Sequence, residues 1–394
     1  MNPDRGSAAP QVQPVVDWLV EGAPPAKLPQ EVLLHLCRRL VACSLPLYRV
    51  AVFVTTLHPN VAGRGFFWRE NREEVEVAEA SFAMLQSGLY RNNPIHLVLS
   101  GRTEVRRRIC EGGCPMDFPL LEDLKGEGVT DYFAMPLEFI HGELHACSYT
   151  TRRPGGFSEG EIDALRRIRP GLTRVAEIYA LLRTARNLLD AYLGRQAGEK
   201  VLRGQIKRGD GQEIHAVIWF CDLRNSTPLA DSMGRQAFLE LLNDYFECML
   251  GPVLERGGEV LRFIGDAALA IFPIQDSVEN SCHQAVEAAK ESMARMQALN
   301  ARREGFGAPP LGFGIGLHLG DVMYGNIGTP TRIEFTVIGA AANEAARIES
   351  LCKSLGTSLV VSEQVARHLP GTWKPLGRHA LRGVGEPVAL FTLP

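Results

Sequence analysis

The sequence predicts a mixed α+β protein in which a C-terminal βαββαβ unit follows a smaller α/β unit. Three observations carry this. After Gly209-Asp210-Gly211, short apolar strands alternate with amphipathic helices. Hairpin signals are mixed into that alternation, so the sheet is not purely parallel and its helices are expected on one face. A long helical stretch, residues 158–193, separates this region from an earlier strand-and-helix region. At 394 residues the chain is long enough for two or three domains.

Residues 1–27 read as a flexible lead-in, because Pro24-Pro25 and the lack of periodicity offer no buried face. From Pro29 a helix is expected with Val32, Leu33, Leu36, Leu40 and Val41 on one side. Residues 48–56 (YRVAVFVTT) read as a buried strand, and residues 66–68 begin its partner after the Gly63-Arg64-Gly65 turn. Residues 132–139 and 143–150 flank His141-Gly142 and read as a hairpin. Ser158, with Glu161 three residues on, reads as the capping box of a long helix. Along that helix Leu165, Ile168, Leu172, Val175, Tyr179, Leu182, Leu189 and Leu193 recur in steps of three and four, broken at Arg186. This is the seam of a dimeric coiled coil; the alternative is an amphipathic helix packed on its own domain. Pro170 and Gly171 are expected to bend it.

In the C-terminal half, residues 216–221 read as a strand and Phe238, Leu241, Leu242, Tyr245, Phe246 and Met249 as a helix face. Residues 260–264 and 267–272 are strands around Gly265-Asp266, and 277–300 is a helix. Strands 312–319 and 334–338, a helix 340–355, and strands 359–361 and 388–393 complete the unit.

The charge balance excludes some function classes. Forty-two Lys and Arg against 45 Asp and Glu give a net charge of −3, not the strongly basic footprint of a general nucleic-acid binder. The longest apolar stretches, 50–56 and 216–221, are far too short to span a bilayer, and the N-terminus lacks the form of a secretory signal. Nine scattered cysteines read as reduced thiols, which places the chain in the cytoplasm.

Asp222 ends an apolar strand, and Asp266 sits in a turn between two others. Carboxylates on neighbouring strand tips suit one or two Mg²⁺ ions shared with a triphosphate, although each alone is an ordinary turn aspartate. The residues that follow, Leu223, Arg224, Asn225, Ser226 and Thr227, are expected to offer backbone N–H groups and hydroxyls to phosphate at a helix start. Asn343 and Arg347 are four apart on a helix and share a face. Arg347 suits the charge that builds on a phosphate and Asn343 a ribose oxygen; the bland alternative is a solvated face with an Arg347–Glu344 pair.

Taken in order, WFCDLRNST, GGEVLRFIGDAALAIF, GIGLHLGDVMYGNIG, FTVIGAAANEAARIES and LRGVGEPVALFTL resemble the catalytic domain of the class III nucleotidyl cyclases, over about residues 214–394. The resemblance implies a ferredoxin-like catalytic domain at 211–394. It also implies two metal ions, Mg²⁺ or Mn²⁺, on Asp222 and Asp266, with Asn343 and Arg347 stabilising the transition state. Arg262 and Thr336 stand where that family reads the purine. The family forms its active sites between two catalytic domains, so a head-to-tail homodimer with two equivalent sites is implied.

Arg262 replaces the usual Lys. Both only donate, which suits the adenine N1 acceptor, whereas guanine presents N–H donors there and wants a carboxylate. ATP is therefore the expected substrate, with cyclic AMP and pyrophosphate as products. Thr336 can accept from the adenine N6 amine, and in the family it resembles the subgroup that responds to bicarbonate. Ala340 and Glu344 depart from the family pattern.

Residues 28–160 resemble a GAF-type sensor domain more loosely. The resemblance rests on the opening helix, YRVAVFVTT, GVTDYFAMPLEFIHGELHACSYTT and GGFSEGEIDALRRI. It implies a small effector, and makes residues 161–210 a signalling-helix linker. Cys110, Cys114, His141 and His145 form a weak metal pattern and read as loop thiols and strand-face histidines. Arg106, Arg107 and Arg108 read as a solvated face. The leading expectation is thus a sensor-regulated adenylate cyclase. A guanylate cyclase of the same fold and a catalytically weak sensor or scaffold protein are the alternatives.

Overall fold

The computed structural model describes residues 10–59, 61–369, 371 and 373–394. The chain divides into two compact units, Met1–Ala191 and Tyr192–Pro394.

The N-terminal unit holds a six-stranded sheet among the described residues. Its strands are β1 (Arg49–Thr55), β2 (Gly63–Arg69), β3 (Glu76–Ala80), β4 (Val105–Arg107), β5 (Asp131–Glu138) and β6 (Leu144–Thr151), ordered β3-β2-β1-β6-β5-β4. Every neighbouring pair is antiparallel. One face is covered by α1 (Gln13–Val20), α2 (Pro29–Ala42) and the first half of α7 (Glu159–Leu193). The other carries α3 (Phe82–Gln86), α4 (Gly88–Arg91), α5 (Pro94–Gly101) and α6 (Pro119–Gly126), of which α5 and α6 pack into its core. The hairpin and the capping box form as the sequence implies. Phe139 N–H donates to the Glu143 carbonyl at 2.9 Å. Glu161 N–H donates to Ser158 Oγ at 3.3 Å, and Ser158 N–H to Glu161 Oε2 at 2.8 Å.

Three sequence expectations change here. Of the lead-in, residues 1–9 lie outside the described residues, but Gln13–Val20 is a helix with Val15, Trp18 and Leu19 buried. The apolar spacing is short, and it becomes visible only once α1 has a surface to cover. The expected coiled-coil seam is not one surface. Leu165, Ile168, Leu172 and Val175 are core residues of this unit, while Ile178, Leu181, Leu182 and Leu188 further along are exposed. Gly171 serves close packing: a Cβ there would lie 2.9 Å from Leu19 Cβ. Arg106, Arg107 and Arg108 are not a solvated face, since each has a carboxylate partner: Asp131 at 2.9 Å, Asp117 at 2.6 Å and Glu111 at 2.7 Å. Strand β3, with its alternating Glu and Ala, escaped the sequence reading altogether.

The C-terminal unit begins with α8 (Arg195–Leu202) and contains β7 (Gly211–Leu223), α9 (Ser226–Ser232), α10 (Arg235–Glu255), β8 (Glu259–Ile264), β9 (Ala267–Pro273) and α11 (Val278–Gly305). There follow β10 (Phe313–Thr329), β11 (Arg332–Ile338), α12 (Ala340–Ser350), α13 (Cys352–Leu355), β12 (Leu359–Ser362), α14 (Glu363–Ala366), β13 (Lys374–His379) and β14 (Val388–Thr392). The sheet order is β13-β14-β12-β10-β7-β9-β8, with β11 on β10. The stretch β10-β7-β9-β8 with α10 and α11 is the expected βαββαβ core.

Strand alternation sorts the two faces of this sheet. Val217, Trp219, Cys221 and Leu223 of β7, with Ile315, Leu317 and Leu319 of β10, meet α10 and α11. Ala216 and Ile218 face the other way, toward Ala197 of α8 and Ala341 and Ala345 of α12. Helices therefore cover both faces, not one. The core obeys the one-sided rule, and α12 and α8 are additions that close the opposite side. Strand β13, with Pro, Gly and charged residues, has no strand pattern and was missed.

Candidate active site

The site is built on the α12 face. Asp222 is the last but one residue of β7, opposite Ala267 of β9 and Gly314 of β10. It is even-numbered, so it turns away from the apolar core that Cys221 and Leu223 enter. Asp266 occupies the β8–β9 turn after Gly265, whose φ of +66° belongs to the left-handed region. Leu223 N–H donates to the Asp266 carbonyl at 3.3 Å and binds the turn to the end of β7. The two carboxyl groups meet. Burial raises the Asp222 carboxyl above its usual range, and the adjacent charge and hydrogen bond of Asp266 raise it further.

Such a pair is electrostatically unsatisfied by the protein alone, and a divalent cation would relieve it. Among the described residues no group of three or more His, Cys, Asp or Glu is arranged to hold a metal ion. The protein would thus supply two carboxylates, leaving the remaining positions to water and substrate phosphates. That is how Mg²⁺ is usually held beside a nucleotide.

Two of the five expected phosphate contacts are corrected. The Leu223 N–H is spent on Asp266, and its side chain is core. Arg224 N–H donates to the Gly312 carbonyl at 2.8 Å. Its guanidinium lies 2.7 Å from Glu349 Oε1 and donates to the Glu349 carbonyl at 3.2 Å. Asn225 takes a left-handed φ of 54° and precedes Ser226 and Thr227 in the first turn of α9.

Glu349 was not anticipated. It is 2% exposed, and burial pushes its carboxyl up to about 7. Arg224 opposes that shift while the nearby Asp222 and Asp266 add to it. A third carboxyl therefore stands behind the aspartate pair, tied to the strand that carries Asp222. The signal was present in the glycines of GIGLHLG. Gly314 faces Glu349 and Arg224, and a Cβ at Gly316 would lie 2.6 Å from both the Ala345 oxygen and the Glu349 nitrogen. One at Gly320 would lie 2.7 Å from Ala341 Cβ. These alternate positions let the α12 backbone lie directly on the sheet. His318, on the same side, has its Nε2 3.2 Å from Glu344 Oε2, and burial lowers it to about 4. Glu344 thus pairs with His318 rather than with Arg347.

Asn343 is exposed on α12 and Arg347 is half-buried one turn later, beside Gly383. Among the described residues no hydrogen bond or ion pair joins either to Asp222 or Asp266. Arg262 of β8 forms an ion pair with Glu334 of β11. Thr336, two residues along that strand, is 3% exposed, and its hydroxyl has no hydrogen-bond partner. Arg262 therefore comes with a carboxylate, which the sequence reading overlooked.

Part of the chain is similar to known proteins. Residues 211–391 match the family described as the adenylate and guanylate cyclase catalytic domain. The chain is 36% identical over 168 residues to an adenylate cyclase of Anabaena cylindrica, covering 42% of this chain and 32% of that protein. It is 34% identical over 210 residues to an uncharacterized protein of Mycobacterium tuberculosis, covering 52% of this chain and 37% of that one. The chain thus spans about a third of the length of these curated relatives. Similar solved structures include the adenylyl cyclase CyaB from P. aeruginosa (25% identity, TM-score 0.43, 46% of this chain and 94% of that one). The guanylyl cyclase Cya2 is also similar (28% identity, TM-score 0.41, 46% and 92%). Residues 211–391 are thus a domain similar to the adenylate and guanylate cyclase catalytic domain.

Proposed function

We propose that the protein is an adenylate cyclase that converts ATP to 3′,5′-cyclic AMP and pyrophosphate in the cytoplasm. The contact between Asp222 and Asp266 carries this reading. In the reaction the 3′-hydroxyl attacks the α-phosphate, and the bond to the pyrophosphate oxygen breaks. Asp222 and Asp266 would hold two Mg²⁺ or Mn²⁺ ions. When bound, these would acidify the 3′-hydroxyl and neutralise phosphate charge. Arg347 meets the charge that grows on the α-phosphate, and Asn343 positions the ribose. Asn225, Ser226 and Thr227 are the remaining phosphate contacts. Arg262 donates to adenine N1, and the unpartnered hydroxyl of Thr336 accepts from the N6 amine.

Each site would form between two copies of the chain, the aspartates from one and Asn343 and Arg347 from the other. Exposed Phe263, Ile264, Met323, Ile327, Ile333 and Ile338 support a catalytic-domain homodimer. The exposed second half of α7 supports a paired linker helix. The N-terminal unit would be a GAF-like sensor for a small effector, and Thr336 a mark of bicarbonate response.

The test is cyclic-nucleotide formation by the purified full-length chain, supplied with ATP or GTP and Mg²⁺ or Mn²⁺. Cyclic AMP that disappears with Asp222→Ala is the expected result; absence of product from wild type overturns it. Mixing Asp222→Ala with Arg347→Ala protein should restore one intact site per heterodimer.

Guanylate cyclase activity is the second reading, and Glu334 favours it. A carboxylate beside Arg262 provides the acceptor that guanine N1–H and N2–H₂ require. Glu334→Gln should raise the ATP/GTP ratio of kcat/KM by about tenfold if guanine is admitted, consistent with the loss of one charge-assisted contact. An unchanged ratio removes Glu334 from purine selection.

A further inference from the structure

The N-terminal sheet lines a half-open pocket of about 250 Å³ between its α5 side and the helices α3, α4 and α5. Its origin is legible in the strand register. Gly63 opposes Ala80 and Gly65 opposes Ala78, so four small residues face one another across β2 and β3. The Phe67 ring lies over Gly65, and no large side chain grows from the floor itself. Phe53 and Phe67 form the wall, edge to face with ring centres 5.5 Å apart. Leu85, Ile95 and Leu99 contribute the roof. Protein interiors are close-packed, so an unfilled, mostly apolar pocket of this size suits a small apolar ligand.

Its polar features are few. Arg64 and Glu79 border the cavity but form an ion pair with each other, and alternation turns both side chains to the opposite face of the sheet. His145 also borders it by its backbone. Its ring stacks on Phe139 from the α7 side, and its Nδ1 accepts from Thr55 N–H at 3.1 Å. Thr55 borders the pocket too, its hydroxyl 3.3 Å from His145 Nδ1, and what remains at the rim is the Tyr90 hydroxyl and the Asn93 amide. Burial raises the Tyr90 phenol, so it stays protonated and donates. Asn93 Oδ1 accepts from Ile95 N–H at 2.9 Å, which leaves its NH₂ as a donor. Among the described residues neither donor has a partner.

We propose that this cavity is a binding site for a small neutral ligand with a planar apolar body and one hydrogen-bond acceptor, such as an aryl ketone. The walls take the apolar body, and Tyr90 with Asn93 takes the acceptor. The absence of any unpaired cation among the described lining residues disfavours a carboxylate. This gives a place and a chemistry to the effector proposed above, and rests on that reading for its link to turnover alone.

The test is calorimetric titration of the full-length chain with acetophenone, n-propylbenzene and benzoate, which share a size and differ in acceptor and charge. Acetophenone should bind one per chain, about tenfold tighter than n-propylbenzene, with benzoate weakest. Ala80→Leu, which fills the floor, should abolish binding while far-UV circular dichroism is unchanged. If that variant does not fold, Leu99→Phe fills the cavity from the roof. Tyr90→Phe should bring acetophenone down toward n-propylbenzene. Benzoate binding as tightly as acetophenone, wild-type affinity in the filled variants, or no saturable binding overturns the proposal. Cyclic-nucleotide formation, measured separately with and without acetophenone, breaks only the regulatory reading if it does not change.

Discussion

On one face of the C-terminal sheet, alternate residues of β7 and β10 are large and apolar. On the other, the intervening positions include glycine, aspartate and histidine. The first face is Val217, Trp219, Cys221, Ile315, Leu317 and Leu319 against α10 and α11. The second holds Asp222, Gly314, Gly316, His318 and Gly320 against α12. The two faces are interleaved residue by residue, yet one stabilises the domain and the other carries its charges. A period of two lets a single strand serve both ends without compromise.

The separation can be broken from either side. Asp222→Ala or Asp266→Ala should lower turnover by about a thousandfold while leaving the unfolding midpoint unchanged or slightly raised, because a like-charge contact is removed. A fall in midpoint that matches the loss of activity would merge the two faces. Trp219→Ala, one strand position from the chemistry face, should do the reverse. It should cost about 3–5 kcal/mol of stability in a denaturant titration, because a fully buried indole leaves a cavity.

His318 sharpens the comparison through pH. Burial lowers it from 6.5 to about 4, so the folded state holds it neutral. Its contribution is fully present above pH 6.5 and is lost as pH falls toward 4, since the unfolded chain binds the proton first. Between pH 7 and pH 5 this amounts to about 2 kcal/mol. His318→Gln should flatten that part of the acid dependence in calorimetry. The rest remains, because His145 in the N-terminal unit is lowered to about 4 by its own burial. Gly316→Ala is the smallest change. Its methyl enters α12 backbone, so overpacking should cost about 1–3 kcal/mol and lower turnover in the folded fraction.

Much of this was legible in the sequence where chemistry and periodicity coincide. Strand β7, the turn at Gly265-Asp266 and α12 each carry a hydrophobic pattern that ends in a polar residue of the candidate site. Asp222 and Asp266 could therefore be named before their contact was seen. Glu349 could not. It lies two residues past Arg347 on a helix, and only the α12-to-sheet packing turns it inward. Glu334 was missed for the same reason: its partner Arg262 is 72 residues away in sequence, on another strand. The coiled-coil seam shows the opposite failure. A three-and-four spacing is equally served by a partner helix or by the domain's own sheet, and Leu165 to Val175 found the sheet first.

Glycine codons all begin with the same two bases, and any single-base change that alters the amino acid adds at least one carbon to the backbone. At Gly314, Gly316 and Gly320 there is no room for that carbon without displacing α12 or its side chains. These positions are therefore genetic dead ends, while Ile315 and Leu317 between them can drift among apolar residues at small cost. In a library of every single substitution, β10 should appear as alternating intolerant and permissive columns. The period of the strand would then be readable from fitness alone.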